Sequence, residues 1–201
     1  MKPGILVCPG TRDLLQLPDA FYIGVDAGVE VLLEAGILPD AACGDFDSLD
    51  ESRKSVLKAL KDVELSPVRK NESDTELALL MAQEKGLSPI YVCGALGGRI
   101  DHELANLSLV MHRNFPVVLW EKDQRVVRLD PGEYSFSDQF RHVSFFPIGE
   151  AEISLQGFDY PLDHRRLHPR DIYTLSNRVI DSPATVQVHA GSVLCVQTDR
   201  P

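Results

Sequence analysis

Over the first 122 residues, short apolar runs rich in β-formers alternate with segments whose apolar residues recur at helical spacing. Few features restrict a fold more tightly. The strand-like runs are Ile5–Cys8, Phe21–Val25, Ala41–Cys43, Val63–Leu65, Ile90–Cys93 and Val117–Trp120. Between them, Val29, Leu32 and Leu33 form a stripe that stops at Gly36, with Pro39 just beyond. Ser48–Glu51 has capping-box spacing ahead of Val56, Leu57 and Leu60, and Ser73–Glu76 repeats it ahead of Leu77, Leu80 and Met81. Leu104, Leu107 and Met111 mark a further helix. This alternation predicts an α/β fold, a mostly parallel sheet with helices on both faces.

After about residue 122 the helical spacing ends. Arg125–Leu129, Glu133–Phe136, His142–Phe146, Ala151–Leu155, Thr185–His189 and Ser192–Gln197 read as short strands, with Pro131-Gly132 and Ala190-Gly191 as turns. The expectation is a smaller all-β sandwich over residues 123–201, packed after an α/β domain over residues 1–122.

The charge balance narrows the function. A formal net charge of −10 argues against a nucleic-acid backbone as partner, since such proteins carry a basic footprint. It does not exclude a nucleotide, because a bound cation offsets local negative charge. The four cysteines are scattered through apolar runs with no C-x-x-C pair, which suits buried free thiols in a reducing compartment. No apolar run approaches membrane-spanning length and no signal-peptide pattern opens the chain, so a cytoplasmic protein without a membrane partner is expected.

The chemistry gathers where strands end. Ile90–Cys93 leads through Gly94-Ala95-Leu96-Gly97-Gly98-Arg99-Ile100-Asp101 into a helix, and glycines there let backbone approach an anionic ligand. Asp26 closes the second strand, Asp45 and Asp47 follow the third, Asp74 follows the fourth, and Arg99 and Asp101 follow the fifth. In an open α/β sheet these ends border the ligand crevice. Carboxylates converging there repel one another unless a cation sits among them, and hard oxygen ligands suit Mg²⁺. Each piece also has a plain structural reading: Asp26 and Ser73 as helix caps, Asp45–Ser48 as a turn, Asp74 and Glu76 as first-turn acids. No G-x-x-x-x-G-K-[ST] phosphate loop is present. His164 and His168 are four apart, but Pro161 and Pro169 bracket them and argue against a helical zinc pair.

The motifs, taken in order, resemble the thiamine pyrophosphokinase family. They are Asp26-Ala27-Gly28, Pro39-Asp40 with Gly44-Asp45-Phe46-Asp47-Ser48, Lys70 to Asp74, and Gly97-Gly98-Arg99-Ile100-Asp101-His102 to Asn106. In the β-rich part, Leu155 to Leu162 and Leu175-Ser176-Asn177 resemble the family's thiamine-binding domain. Departures occur at Ala27, Glu30, Asn71 and Ser73. The resemblance implies transfer of a diphosphate from ATP to the hydroxyl of thiamine, giving thiamine diphosphate and AMP. It further implies Mg²⁺ on Asp45, Asp47 and Asp74, with Asp26 outside them, and Asp74 as a candidate base. Arg99 would neutralise phosphate beside the backbone of Gly97 and Gly98. Asp101, His102 and Asn106 would hold the nucleotide or shape its pocket, and Lys70, Ser176 and Asn177 would contact substrate. A homodimer with the active site at its interface is implied as well. Two rival readings use the same residues: a Mg²⁺-dependent phosphatase or nucleotide hydrolase acting through Asp45 and Asp47, and a non-catalytic sensor of nucleotide or thiamine.

Overall fold

The structure is a computed structural model that describes residues 1–46, 57, 62–65, 71–113 and 115–200. It divides into two units, Met1–Lys122 and Asp123–Pro201.

The first unit is built on six strands, all parallel: β1 Gly4–Val7, β2 Phe21–Val25, β3 Ala41–Gly44, β4 Asp62–Leu65, β5 Ile90–Cys93 and β6 Val117–Glu121. Their order is β6-β5-β1-β2-β3-β4. Among the described residues the helices that connect them include α1 Gly28–Glu34, α2 Asp74–Glu84 and α3 Ile100–His112. Burial on both faces explains why the strands read as continuous apolar runs. Ile5 and Val7 pack with Leu32 of α1. Between them Leu6 is fully buried, and strand alternation turns it to the other face. Among the described residues no helix is long and apolar enough to cross a membrane.

This order has a direct consequence for function. From β1 the chain steps outward through β2, β3 and β4, then returns to place β5 on β1's other side. The connections leaving β1 and β5 therefore run to opposite sides of the sheet, and the switch in direction between these adjacent strand ends is where open α/β sheets bind ligands.

Two expectations for this unit need correction. Asp26 is not a helix cap: Ala27 is the capping residue of α1, while Asp26 itself has a left-handed φ of 51°. In α3 the side buried against the unit is Asn106 and Val110, whereas Leu104 is 59 % exposed. Of the expected stripe only Leu104 faces outward, whereas Leu107 and Met111 are half-buried. The cap at Ser73 does hold, its Oγ accepting the Glu76 amide at 3.1 Å. The capping-box segment Ser48–Glu51, with Val56 and Leu60, lies outside the described residues.

The second unit is antiparallel. Its strands are β7 Gln124–Leu129, β8 Gly132–Phe136, β9 His142–Gln156, β10 Leu162–Leu167 and β11 Ala184–Thr198. Four of the short strands expected from sequence are the halves of two 15-residue strands, β9 and β11. Ala190-Gly191 is accordingly not a turn between strands. The β9–β11 register shifts on both sides of Ala190, and Gly191 has a φ of 70°. A Cβ there would meet the Glu150 carbonyl oxygen at 2.1 Å. A glycine bulge bends the long pair without ending it. The two halves thereby wrap one core, in which Phe136, Phe145 and Phe158 meet edge to face. The segment between Pro161 and Pro169, read only as non-helical, contains edge strand β10.

Candidate active site

A cleft of about 620 Å³ opens at the β1–β5 divergence, lined by Cys8–Gly10, Asp26, Ser73–Thr75, Gly94, Ala95 and residues at the start of α3. Each wall is set by local chain geometry. Asp26 ends β2, and its amide donates to the Cys43 carbonyl at 2.8 Å. Gly44 passes so close that a Cβ would lie 2.9 Å from the Asp26 Cα. Phe46, buried beside Val29 and Ala42, anchors the far side of that loop with a φ of 55°. Left-handed backbone at Asp26 and Phe46 is uncommon for such residues and marks a loop held by its surroundings.

Helix α2 aims its first turn at the same edge. Thr75 Oγ1 lies 3.9 Å from the Cys8 thiol, and the Asp74 carbonyl accepts from the Cys43 thiol at 3.9 Å. Asp74 thus sits over the ends of β1 and β3. Its place in a helix first turn, read from sequence as structural, is also its place in the cleft wall.

The acids register one another. Burial raises the Asp26 carboxyl above its usual range, and the negative charges of Asp45 and Asp74 raise it further. Asp26 Oδ1 is buried with no hydrogen-bond partner among the described residues. Such an atom is costly to leave alone. Among the described residues no three His, Cys, Asp or Glu side chains are close enough to hold a metal ion by themselves. A cation here would complete its shell with water and phosphate oxygens, which is the habit of Mg²⁺. Asp47 and Lys70 lie outside the described residues.

On the opposite wall, Gly94 and Gly97 adopt φ of 77° and 76°. A Cβ on Gly94 would lie 2.3 Å from the Thr11 amide nitrogen, so the β5 turn rests directly on the β1 turn. Asn106, buried in α3, donates to the Ala95 carbonyl at 3.0 Å, and Glu103 accepts the Gly97 amide at 3.1 Å. Asn106 therefore braces the turn while lining the cleft beside Gly98, His102 and Asp101. Arg99, 73 % exposed, donates from Nη2 to Asp101 Oδ2 at 2.6 Å and from Nε to Oδ1 at 3.1 Å. Each partner strengthens the other's charged form: the hydrogen bond lowers the Asp101 carboxyl and raises the Arg99 guanidinium.

Glu121 escaped the sequence reading. It ends β6, is 4 % exposed, and accepts the Gly94 amide at 3.0 Å. A hydrogen bond to a charged acceptor is worth roughly 1.5–3 kcal/mol. A lone acid ending a strand of otherwise apolar residues was the available signal.

In the second unit, Ser176 is exposed with a left-handed φ of 57°, whereas Asn177 is buried. Asn177 Oδ1 accepts the Tyr160 and Arg178 amides, and Nδ2 donates to the Tyr160 carbonyl, all within 3.0 Å. These bonds border a pocket of about 330 Å³ lined by Leu155, Asp159, Tyr160, Leu162, Tyr173 and Asn177 among others. His164 Nδ1 donates to Glu152 Oε1 at 2.9 Å and its ring stacks on His189, whereas His168 pairs with Glu150.

An open parallel α/β sheet with a cleft at its topological switch, lined by Asp26, Asp74, Arg99 and Asp101, fits a nucleotide-utilising phosphotransfer class. A family model described as the thiamin pyrophosphokinase catalytic domain matches residues 14–134, and one described as the thiamin pyrophosphokinase vitamin B1 binding domain matches residues 129–193. The chain belongs to the thiamine pyrophosphokinase family, enzymes that transfer diphosphate from ATP to thiamine. It is 33 % identical to the thiamine pyrophosphokinase of Bacillus subtilis strain 168, over 98 % of this chain and 99 % of that protein. The crystal structure of thiamine pyrophosphokinase from Bacillus subtilis superposes with a TM-score of 0.87 at 31 % identity, covering 100 % of both chains. That of thiamin pyrophosphokinase from Geobacillus thermodenitrificans gives 0.83 at 32 % identity, over 100 % of this chain and 98 % of the other.

Proposed function

We propose that the β1–β5 cleft is where this chain binds ATP with Mg²⁺ and passes the terminal diphosphate to the hydroxyl of thiamine, releasing AMP. One observation carries the reading: Asp26 Oδ1 is buried at the cleft with no hydrogen-bond partner among the described residues, while Asp45 and Asp74 press negative charge on the Asp26 carboxyl. Carboxylates set against one another in this way are stabilised by a bound cation.

Asp45, Asp47 and Asp74 would hold Mg²⁺, with Asp26 adjoining them. The ion, when bound, supplies charge neutralisation at the phosphates. The chain's own groups do the positioning. The Gly94–Gly98 turn brings backbone to the phosphates without a Cβ in the way, and the first-turn amides of α2 face the same space. Arg99 exchanges part of its bidentate contact with Asp101 for phosphate oxygens as they gain charge. Asp101, His102 and Asn106 shape the nucleotide pocket, and Asp74, in the cleft wall, is a candidate to accept the hydroxyl proton. In-line displacement on phosphorus needs this alignment more than covalent help.

The second unit would bind thiamine, and Lys70 is assigned as a further substrate contact. Tyr160 and Tyr173 offer aromatic faces and Asp159 a carboxylate beside its pocket, a setting suited to a cationic heteroaromatic ring. In this reading Ser176 contacts the substrate directly and Asn177 holds the pocket's Tyr160 edge. Tyr160, Ile172, Tyr173, Leu175 and Ile180 are all more than half exposed. Apolar side chains grouped this way support a homodimer with the active site at its interface. Four buried free cysteines support a cytoplasmic setting.

Incubating the protein with ATP, Mg²⁺ and thiamine should release AMP only when thiamine is present. Inorganic phosphate formed without thiamine would instead identify a hydrolase. Ligand binding without any turnover would identify a sensor.

A further inference from the structure

We propose that Glu121 is a positioning residue of the reaction: its carboxylate holds the Gly94–Gly98 turn in the shape that receives the nucleotide. Glu121 is not among the residues lining the cleft; it stands behind the turn at the end of β6. Its Oε1 accepts the Gly94 amide at 3.0 Å. The carbonyl of the following residue, Ala95, accepts from Asn106 Nδ2 at the same distance. The turn is therefore gripped at two neighbouring residues, by the Gly94 amide from β6 and by the Ala95 carbonyl from α3. Neither grip comes from within the turn.

The need for such a grip follows from the backbone. Gly94 leaves β5 with a left-handed φ of 77°, and its α-carbon lies so close to Thr11 that no side chain fits. Its amide consequently points away from the β1 turn and toward β6. A glycine in this state has the widest choice of alternative conformations, and an unpaired amide would let it take them. The Glu121 carboxylate, buried at the end of β6, meets that amide and so ties the glycine turn to the strand behind it, on the wall opposite Asp26 and Asp74.

This rests on the reading that ATP occupies the cleft, and the test separates the two. In the unsubstituted protein, the Gly94 amide should exchange with solvent as slowly as the amides of β5. Fast exchange there overturns the clamp without any variant. Glu121→Gln keeps an acceptor of the same reach and should leave kcat and both KM values within about threefold. Glu121→Asp keeps the charge but withdraws it by one methylene; KM for ATP should rise about tenfold while KM for thiamine stays within about twofold. Gly94 exchange should accelerate in Glu121→Asp alone. If Glu121→Gln is damaged as badly as Glu121→Asp, charge rather than reach matters and the clamp is refuted. If Gly94 exchange accelerates in Glu121→Asp with KM for ATP unchanged, the turn does not serve ATP, and the nucleotide reading of this wall fails with the proposal.

Discussion

The guanidinium of Arg99 is locked face on to the carboxylate of Asp101, two residues away, by two hydrogen bonds of 2.6 and 3.1 Å. Both side chains are mostly exposed, so the pair is not there for stability. It holds a planar, always-charged fork among the residues that line the cleft, which under the proposed function would meet phosphate oxygens. Arg99→Lys keeps the charge and loses the fork. It should lower kcat/KM for ATP roughly 10- to 100-fold while the thermal midpoint stays put. Steady-state kinetics beside a thermal melt would check this, and unchanged kinetics would remove Arg99 from the site.

Asp26 gives a prediction in which stability and function oppose each other. Its carboxyl is raised in the folded state by burial and by Asp45 and Asp74. A group so raised lends stability at low pH, fully below its unfolded value, and loses it as pH climbs through the folded value. Asp26→Asn tolerates the same left-handed backbone and removes that liability. The variant should melt higher than the parent at neutral pH without divalent cations, and the gain should vanish near pH 4, about where a free aspartate titrates. It should also lose diphosphate transfer.

Mg²⁺ should reverse that order. Binding to the folded state alone raises the melting midpoint of the parent. The increment should shrink on acidification, as protons compete for the same carboxylates, and should be smaller in Asp26→Asn. Melting curves with and without Mg²⁺ across pH would show it. Equal increments in both proteins would place the ion elsewhere.

Ser176 and Asn177 adjoin in sequence but should behave differently. Asn177→Ala breaks three side-chain bonds around Tyr160 in a buried setting and should cost about 2–3 kcal/mol in urea denaturation. Ser176→Ala touches an exposed side chain and should leave stability nearly unchanged while raising KM for thiamine. If Ser176→Ala leaves thiamine kinetics untouched, its assignment as a substrate contact is lost.

The thiols should be silent. All four cysteines are buried, and burial pushes the Cys8 and Cys93 thiols up to about 12, so little thiolate is present at pH 8. A thiol reagent should modify none in the native protein and all four in guanidinium. Fast reaction of Cys8, at the cleft wall, would show that the strand end opens in solution.

Much of this was legible along the chain because periodicity is a local property. Strands buried on both faces must be continuously apolar, and β1, β2 and β5 read that way. The cap at Ser73 was legible for the same reason: a hydroxyl and an amide three residues apart meet without help from the rest of the fold. Where the sequence reading failed, the deciding contact was distant. Nothing near Gly191 announces that Glu150 lies 2.1 Å from its missing Cβ, so a bulge in one long strand looked like a turn between two. Leu104 carries the apolar label of a core residue, but α3 buries Asn106 and Val110 instead, with Asn106 reaching back to the Ala95 carbonyl eleven residues away. Glu121 could not be seen at all, since its partner is 27 residues away.

By itself, then, the sequence determined the elements, their α/β and all-β succession, and the acids, glycines and arginine available for chemistry, because these depend on neighbours within a few positions. Only tertiary structure decided which of them share a space. Returning the chain to lay β5 against β1 opened the cleft, and the backbone at Gly44 and Asp26 drew separate strand ends together. Those are consequences of packing between remote segments, and no local pattern encodes the distance between them.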